Sequence, residues 1–229
     1  MKIGIAIAGC GMGGVAAFCA LKELENIGIH PQFLSGSVSG VAGLLAASCG
    51  EESLCAGAAR EYLHTCKADA KEEAIRRLCA QELMPPNCAR PLICYVNTQT
   101  AQWKACGFGA KHLEELCCAA AGLTPYKGSD GLCCDFSSYY GCPLFPLKAA
   151  GADKVIALVY QPARPMGPWE TCRQKLVELT AETADCMMVF PDPACRMPED
   201  FLQECAICAK KQVEQNMELL LDLSFRNKS

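Results

Sequence analysis

Residues 2–14, Lys2-Ile3-Gly4-Ile5-Ala6-Ile7-Ala8-Gly9-Cys10-Gly11-Met12-Gly13-Gly14, run from an isoleucine-rich stretch straight into glycines. An apolar run that ends in such a turn reads as a buried strand. Val15 to Asn26 then sets Phe18, Leu21 and Leu24 on one helical face, with Gly28 as a stop. The unit repeats at once. Gln32 to Leu34 is a second short strand, Ser35-Gly36-Ser37-Val38-Ser39-Gly40 a second tight turn, and Val41 to Ala47 a helix of small residues. Strand, glycine turn and helix, twice in succession, imply parallel strands with helices layered on them.

The pattern continues along the chain. Residues 51–82 carry two charged amphipathic helices that the Pro85-Pro86-Asn87 break ends, and strands are expected at Pro91 to Asn97 and, after a hairpin turn at Asp130-Gly131, at Leu132 to Cys134. His112 to Ala121 reads as a helix, Leu147 to Ala150 as a short one stopped by Gly151, and Lys154 to Tyr160 as another buried strand. Thr171 to Asp185 is a helix, Cys186 to Phe190 a strand, and Glu199 to Leu223 one long terminal helix. No linker divides the chain. The expected architecture is a single domain over residues 1–229, a three-layer α/β/α sandwich with a mixed, mostly parallel central sheet.

With 229 residues and 51% hydrophobic composition, the chain can bury a sizeable core. Twenty-one basic residues against 25 acidic ones give a net charge of −4, which offers no field to attract nucleic acid or an anionic membrane. No stretch reaches the roughly 18 uninterrupted apolar residues of a transmembrane helix. Ile7-Ala8-Gly9-Cys10 matches a lipoprotein cleavage pattern, but too little chain precedes it for a signal peptide. A cytoplasmic protein is expected. The 19 cysteines are mostly scattered through apolar periodic positions (Cys19, Cys79, Cys117, Cys118, Cys205), where free cysteine packs as a small hydrophobe. Cys205 to Cys208 is the single CxxC, and a zinc ribbon needs two, so no metal site is expected.

Gly9-Cys10-Gly11-Met12-Gly13-Gly14 fits G-x-G-x-x-G, which aims backbone N–H groups at a pyrophosphate. A dinucleotide site also wants an acidic residue at the end of the second strand, and Phe33-Leu34-Ser35 has none, so no cofactor is expected. The second strand instead enters a turn with small residues flanking a central position, as a nucleophile elbow requires. One turn offering N–H donors beside another shaped to present a nucleophile makes an acyl-transfer pair.

On these residues the chain resembles the patatin-like phospholipases. That family is marked by a glycine-rich oxyanion loop, a G-x-S-x-G elbow and a distant aspartate completing a Ser–Asp dyad. Asp135, Pro143, Pro146 to Ala150 and Gly151-Ala152-Asp153-Lys154-Val155-Ile156 match the family's spacing after the aspartate, and Leu116 to Pro125 resembles the helix and proline turn before it. The resemblance implies a lipid acyl-hydrolase lineage and a lipid or acyl ester as ligand. It places Gly9, Cys10 and Gly11 in the oxyanion loop, Gly36 and Gly40 at the elbow, Asp135 in the dyad, and Val38 where the nucleophilic serine belongs.

The departures fall on those same elements. Cys10 replaces a glycine, Gly13 a basic residue, Val38 the serine, and Phe136-Ser137 the two glycines after the aspartate. Valine carries no nucleophile, and losing one removes on the order of a million-fold in turnover. A β-branched residue in a strained elbow adds about 1–3 kcal/mol. The elbow is therefore expected either to relax or to shift register, the shift bringing Ser37 forward as an alternative nucleophile with Asp135 as its base. Otherwise Ser37 is a turn serine. Cys10, at a helix N-terminus, is a second thiol of interest but reads best as a buried small residue. His30, His64 and His112 are read as surface residues. The reading is a pseudoenzyme on a hydrolase scaffold; the alternative is an active serine acyl-ester hydrolase.

Overall fold

The computed structural model of the protein describes residues 1–49, 57, 68–128, 131–164, 166–193 and 198–225. The first of the two helices expected over 51–82, His64 and Asp130 lie outside the described residues. β1 (Ile3–Ala8) leads through a 3-10 turn (Met12–Ala16) into α1 (Ala17–Asn26), and β2 (Phe33–Gly36) leads into α2 (Ser39–Ala47). Then come α3 (Ala68–Cys79), β3 (Arg90–Asn97), β4 (Gln102–Cys106), α4 (Leu113–Ala120), β5 (Tyr126–Gly128) and β6 (Gly131–Asp135). Next are two short helices, α5 (Ser137–Tyr140) and α6 (Leu144–Ala149), and then β7 (Lys154–Gln161), α7 (Pro168–Ala181) and β8 (Cys186–Pro191). α8 (Pro198–Gln215) and α9 (Met217–Phe225) close the described chain.

Among the described residues the sheet has eight strands, hydrogen-bonded in the order β5-β6-β3-β2-β1-β7-β8 with β4 also on β3. β3, β2, β1, β7 and β8 run parallel, while β4, β5 and β6 pair antiparallel, so the sheet is mixed and mostly parallel. The alternation in β1 sorts the two faces. Ile3, Ile5 and Ile7 point into the cluster formed with α1, α2, α3, α4 and α8. Ala6 and Ala8 point the other way, toward α6 and α7. Gly4 shares that second face, where a Cβ would stand 3.1 Å from Leu147 and Ala152, so small residues let α6 lie close on the sheet. Helices on both faces give the three-layer α/β/α sandwich.

Sequence and structure differ at particular places. Residues 198–225 form two helices rather than one, interrupted at Asn216, whose side-chain amide donates to the Gln212 carbonyl at 2.8 Å and competes with the helix ladder. β4 and β5 carry no apolar run for the sequence to announce; β4 is half-exposed with a polar first residue. The hairpin is present, with Gly128 opposite Gly131.

The register of β3 delivers the aspartate. Its first half pairs with β2, ending at Gly36 opposite Ile93, and its second half pairs with β6, starting at Asp135 opposite Tyr95. β4 pairs with Ile93 to Asn97 and so overlaps both partners. β2 and β6 therefore share one edge of β3 and run end to end, which brings Asp135 up against the turn after Gly36.

Candidate functional site

Every candidate residue sits at the carboxyl ends of the parallel strands, the edge where open α/β sheets place their sites. Val38 occupies the apex between β2 and α2 with φ 56 and ψ −127, a conformation that L-residues rarely adopt. The elbow has neither relaxed nor changed register: Val38 holds the strained position itself. Tertiary hydrogen bonds impose it. Ser37 N–H donates to the Ile7 carbonyl (3.1 Å), Val38 N–H to the Ala120 carbonyl at the end of α4 (2.9 Å), and Val41 N–H back to the Val38 carbonyl (3.1 Å). Strain of about 1–3 kcal/mol persists when its surroundings over-determine it in this way.

Glycines make the turn sterically feasible. A Cβ on Gly36 would stand 2.9 Å from the Gly40 carbonyl oxygen, and one on Gly40 would overlap the Ile7 carbonyl. On the other side of the turn Gly14 abuts Ser39, while Ser39 Oγ donates to the Gly9 carbonyl at 3.0 Å. The glycine turn and the elbow are thus one packed unit.

This geometry yields a direct test of the strain. Val38→Gly loses about 1.5–3 kcal/mol of side-chain burial but regains the backbone strain, so its unfolding free energy is expected within about 1 kcal/mol of wild type. Val41→Gly, in the first turn of α2 and wholly buried, is expected to lose about 3 kcal/mol or more. Equal losses in chemical denaturation would show that Val38 bears no strain.

Ser37 is wholly buried, and its Oγ accepts from Ser137 N–H (3.2 Å) and Ser137 Oγ (2.8 Å). Asp135 is held elsewhere. Its carboxylate accepts from Ser138 N–H (2.8 Å) and Ser138 Oγ (2.7 Å) and pairs with Arg173 Nη1 at 3.7 Å. The two members of the alternative dyad are neighbours in the fold, but each is satisfied by a different serine. His30 and His112 are exposed.

Arg173 links Asp135 to the glycine turn, for its Nε donates to Cys10 Sγ at 3.4 Å. Burial pushes the Cys10 thiol up and outweighs the charge and hydrogen bond of Arg173, so the thiol stays protonated at neutral pH. The Arg173 guanidinium is held above its usual range despite its burial, because Cys10 and Asp135 flank it.

The N–H groups of the glycine turn already have acceptors within the chain. Cys10 N–H donates to Gln174 Oε1 (2.8 Å) and Gly11 N–H to the Tyr160 carbonyl (3.0 Å). Met12 and Gly13 both donate to the Asp192 carboxylate, at 2.6 and 2.5 Å. Where an oxyanion loop presents bare donors, this loop is closed on its own protein. Burial pushes the Asp192 carboxyl up, and the N–H groups of Gly13 and Met12 draw it back.

Sequence reasoning missed Arg173, Gln174, Asp192 and Ser138. An acid directly after an apolar strand is a visible signal at Asp192, since the carboxyl ends of the parallel strands meet at the edge where the glycine turn lies. Arg173 and Gln174 carry no such signal; on a helix read from sequence alone, buried polar residues look like solvated ones.

All 16 cysteines among the described residues are free thiols. No group of three or more His, Cys, Asp or Glu among those residues could hold a metal ion. No helix among them is long and apolar enough to cross a membrane. The chain matches no protein-family profile and no curated protein.

Proposed function

We propose that the chain is a patatin-like scaffold of lipid acyl-hydrolase lineage that has lost ester cleavage and serves as a binding protein for a lipid or acyl ester. The observation that carries this reading is Val38, a side chain with no nucleophile, at the apex of an elbow whose backbone geometry is intact. The oxyanion donors turned onto Gln174, Tyr160 and Asp192, and the aspartate turned onto Arg173 and Ser138, support it: each part of an acyl-transfer site has a different partner. No metal or cofactor is invoked.

Binding is tested by thermal shift against an ether-linked phospholipid, which presents acyl-like chains and a head group without a cleavable ester. A saturable rise in Tm is expected, because a ligand that binds only the folded state stabilises it in proportion to ln(1 + [L]/Kd). The same measurement with the ester-linked lipid should give a similar rise with no free fatty acid released. A flat Tm in both series would refute the binding role, and released fatty acid would refute the loss of hydrolysis.

A further inference from the structure

An apolar patch stands at the rim of the site, where the loop after β7 enters α7. Met166 is half-buried there, while Pro168, Trp169 and Cys172 are exposed. Trp169, at 65%, is the most exposed large hydrophobic side chain among the described residues. It lies three residues before Cys172 and so shares a helical face with it. The turn that carries the patch is held firmly. Gly167 N–H donates to Glu170 Oε2 at 3.2 Å, and Thr171 Oγ1 donates to the Gly167 carbonyl at 3.0 Å. Cys10 Sγ donates to the Glu170 carbonyl at 3.8 Å, Arg173 Nε donates to Cys10 Sγ, and Gln174 Oε1 accepts the Cys10 N–H. The first turn of α7 is therefore fastened to the glycine turn, with Trp169 and Cys172 left to solvent.

We propose that this turn docks the protein on a zwitterionic phospholipid surface. The inference rests on the lipid-binding reading and names the place where the lipid is met. Single scattered hydrophobics need no partner, but an apolar cluster built round a tryptophan marks a contact. The indole joins an apolar ring to one N–H donor, which suits the headgroup layer between water and hydrocarbon. Charge fits the same surface. Residues 162–169 hold one cation, the exposed Arg164, and no acid, so lipid phosphates find a cation there in a chain whose net charge is −4. That net charge gives no general attraction to an anionic membrane, so the contact is made by apolar insertion and not by a basic field. Pro162 and Pro168 restrict the backbone beforehand, which lowers the cost of ordering the loop on docking. Docking here brings Cys10 and the glycine turn, one helical turn of α7 away, to the lipid.

The test compares the wild-type chain with Trp169→Glu against two probes: vesicles of ether-linked phosphatidylcholine, and a short-chain ether-linked phosphatidylcholine kept below its micelle concentration. An acid in the first turn of α7 suits the helix dipole, so Trp169→Glu should fold. The wild-type protein is expected to co-sediment with vesicles in about 0.5 M salt as well as in dilute buffer. Its Trp169 emission should move to shorter wavelength, read in Trp103→Phe, which keeps Trp169 as its one tryptophan. If Trp103→Phe does not fold, the difference between wild-type and Trp169→Glu spectra gives the same reading. Trp169→Glu should bind vesicles about tenfold more weakly or worse, yet keep the Tm rise with the monomeric lipid. A Tm rise with the monomer but no vesicle binding by the wild type, or equal vesicle binding by Trp169→Glu, would overturn the docking site and leave the lipid-binding reading standing. A flat Tm with the monomer would overturn that reading, and the vesicle result then decides the docking site by itself. Emission that shifts with protein concentration in lipid-free buffer would mark the patch as a contact between copies of the chain and overturn the proposal.

Discussion

Gly40→Ala is expected to abolish the folded state at ordinary temperatures. The added methyl overlaps the Ile7 carbonyl oxygen in the middle of the sheet, and neither side can withdraw. Ile7 belongs to β1, pinned between β2 and β7, and its carbonyl accepts the Ser37 N–H that starts the elbow. Gly40 belongs to the first turn of α2, every residue of which is buried. A backbone clash in such a place exceeds about 4 kcal/mol, a large part of the 5–15 kcal/mol that holds an ordinary domain folded. The control is Gly109→Ala, where a Cβ meets nothing within 4 Å. It should change stability by less than about 0.5 kcal/mol. Circular dichroism on the two purified variants separates them; a folded Gly40→Ala with near-wild-type Tm would mean that β1 and α2 are not packed backbone to backbone.

Arg173→Met carries the second large effect. The side chains of Arg173 and Asp135 are only 11% and 8% exposed, so removing the guanidinium leaves a carboxylate in the interior with Ser138 as its remaining support. Breaking a buried pair from one side costs about 3 kcal/mol or more, because the surviving charge has lost its counterion. Asp135→Asn in the Arg173→Met background removes that charge, and the double variant should recover more than half of the loss in a double-mutant cycle. Additive losses would show that the pair is not coupled. The same substitution frees Cys10 of its N–H donor, so the single variant should also alkylate at Cys10 at an altered rate.

How far the sequence could be read depends on where each residue finds its partners. β1 is legible because its large and small residues alternate with the period of a strand, and both faces are decided by near neighbours. The tight turn after β2 is legible because glycine at 36 and 40 leaves little choice of packing. β4 and β5 are illegible: as peripheral antiparallel strands they bury little and show no apolar run. The fate of the elbow turns on long-range bonds. Nothing near Val38 in the chain announces that Ala120 will anchor its N–H, so relaxation or a register shift is the natural expectation for a β-branched residue there. The backbone keeps its strained form because Ile7 and Ala120, from β1 and α4, specify it. Arg173 and Asp192 reach the site from α7 and β8, far along the chain, and short motifs do not record such partners.

The central claim, that an intact elbow presents no nucleophile, is tested most directly by treating the wild-type protein with a fluorophosphonate probe and locating any adduct by peptide mass spectrometry, alongside Val38→Ser. The wild-type chain should carry no adduct on any serine, and Val38→Ser should also stay unlabelled, because the glycine-turn N–H groups and Asp135 keep their own partners; an active serine hydrolase labelled in parallel is the positive control. An adduct on Ser37 of the wild-type protein would contradict the account, since it would require that serine to leave Ser137 and take the apex that Val38 occupies.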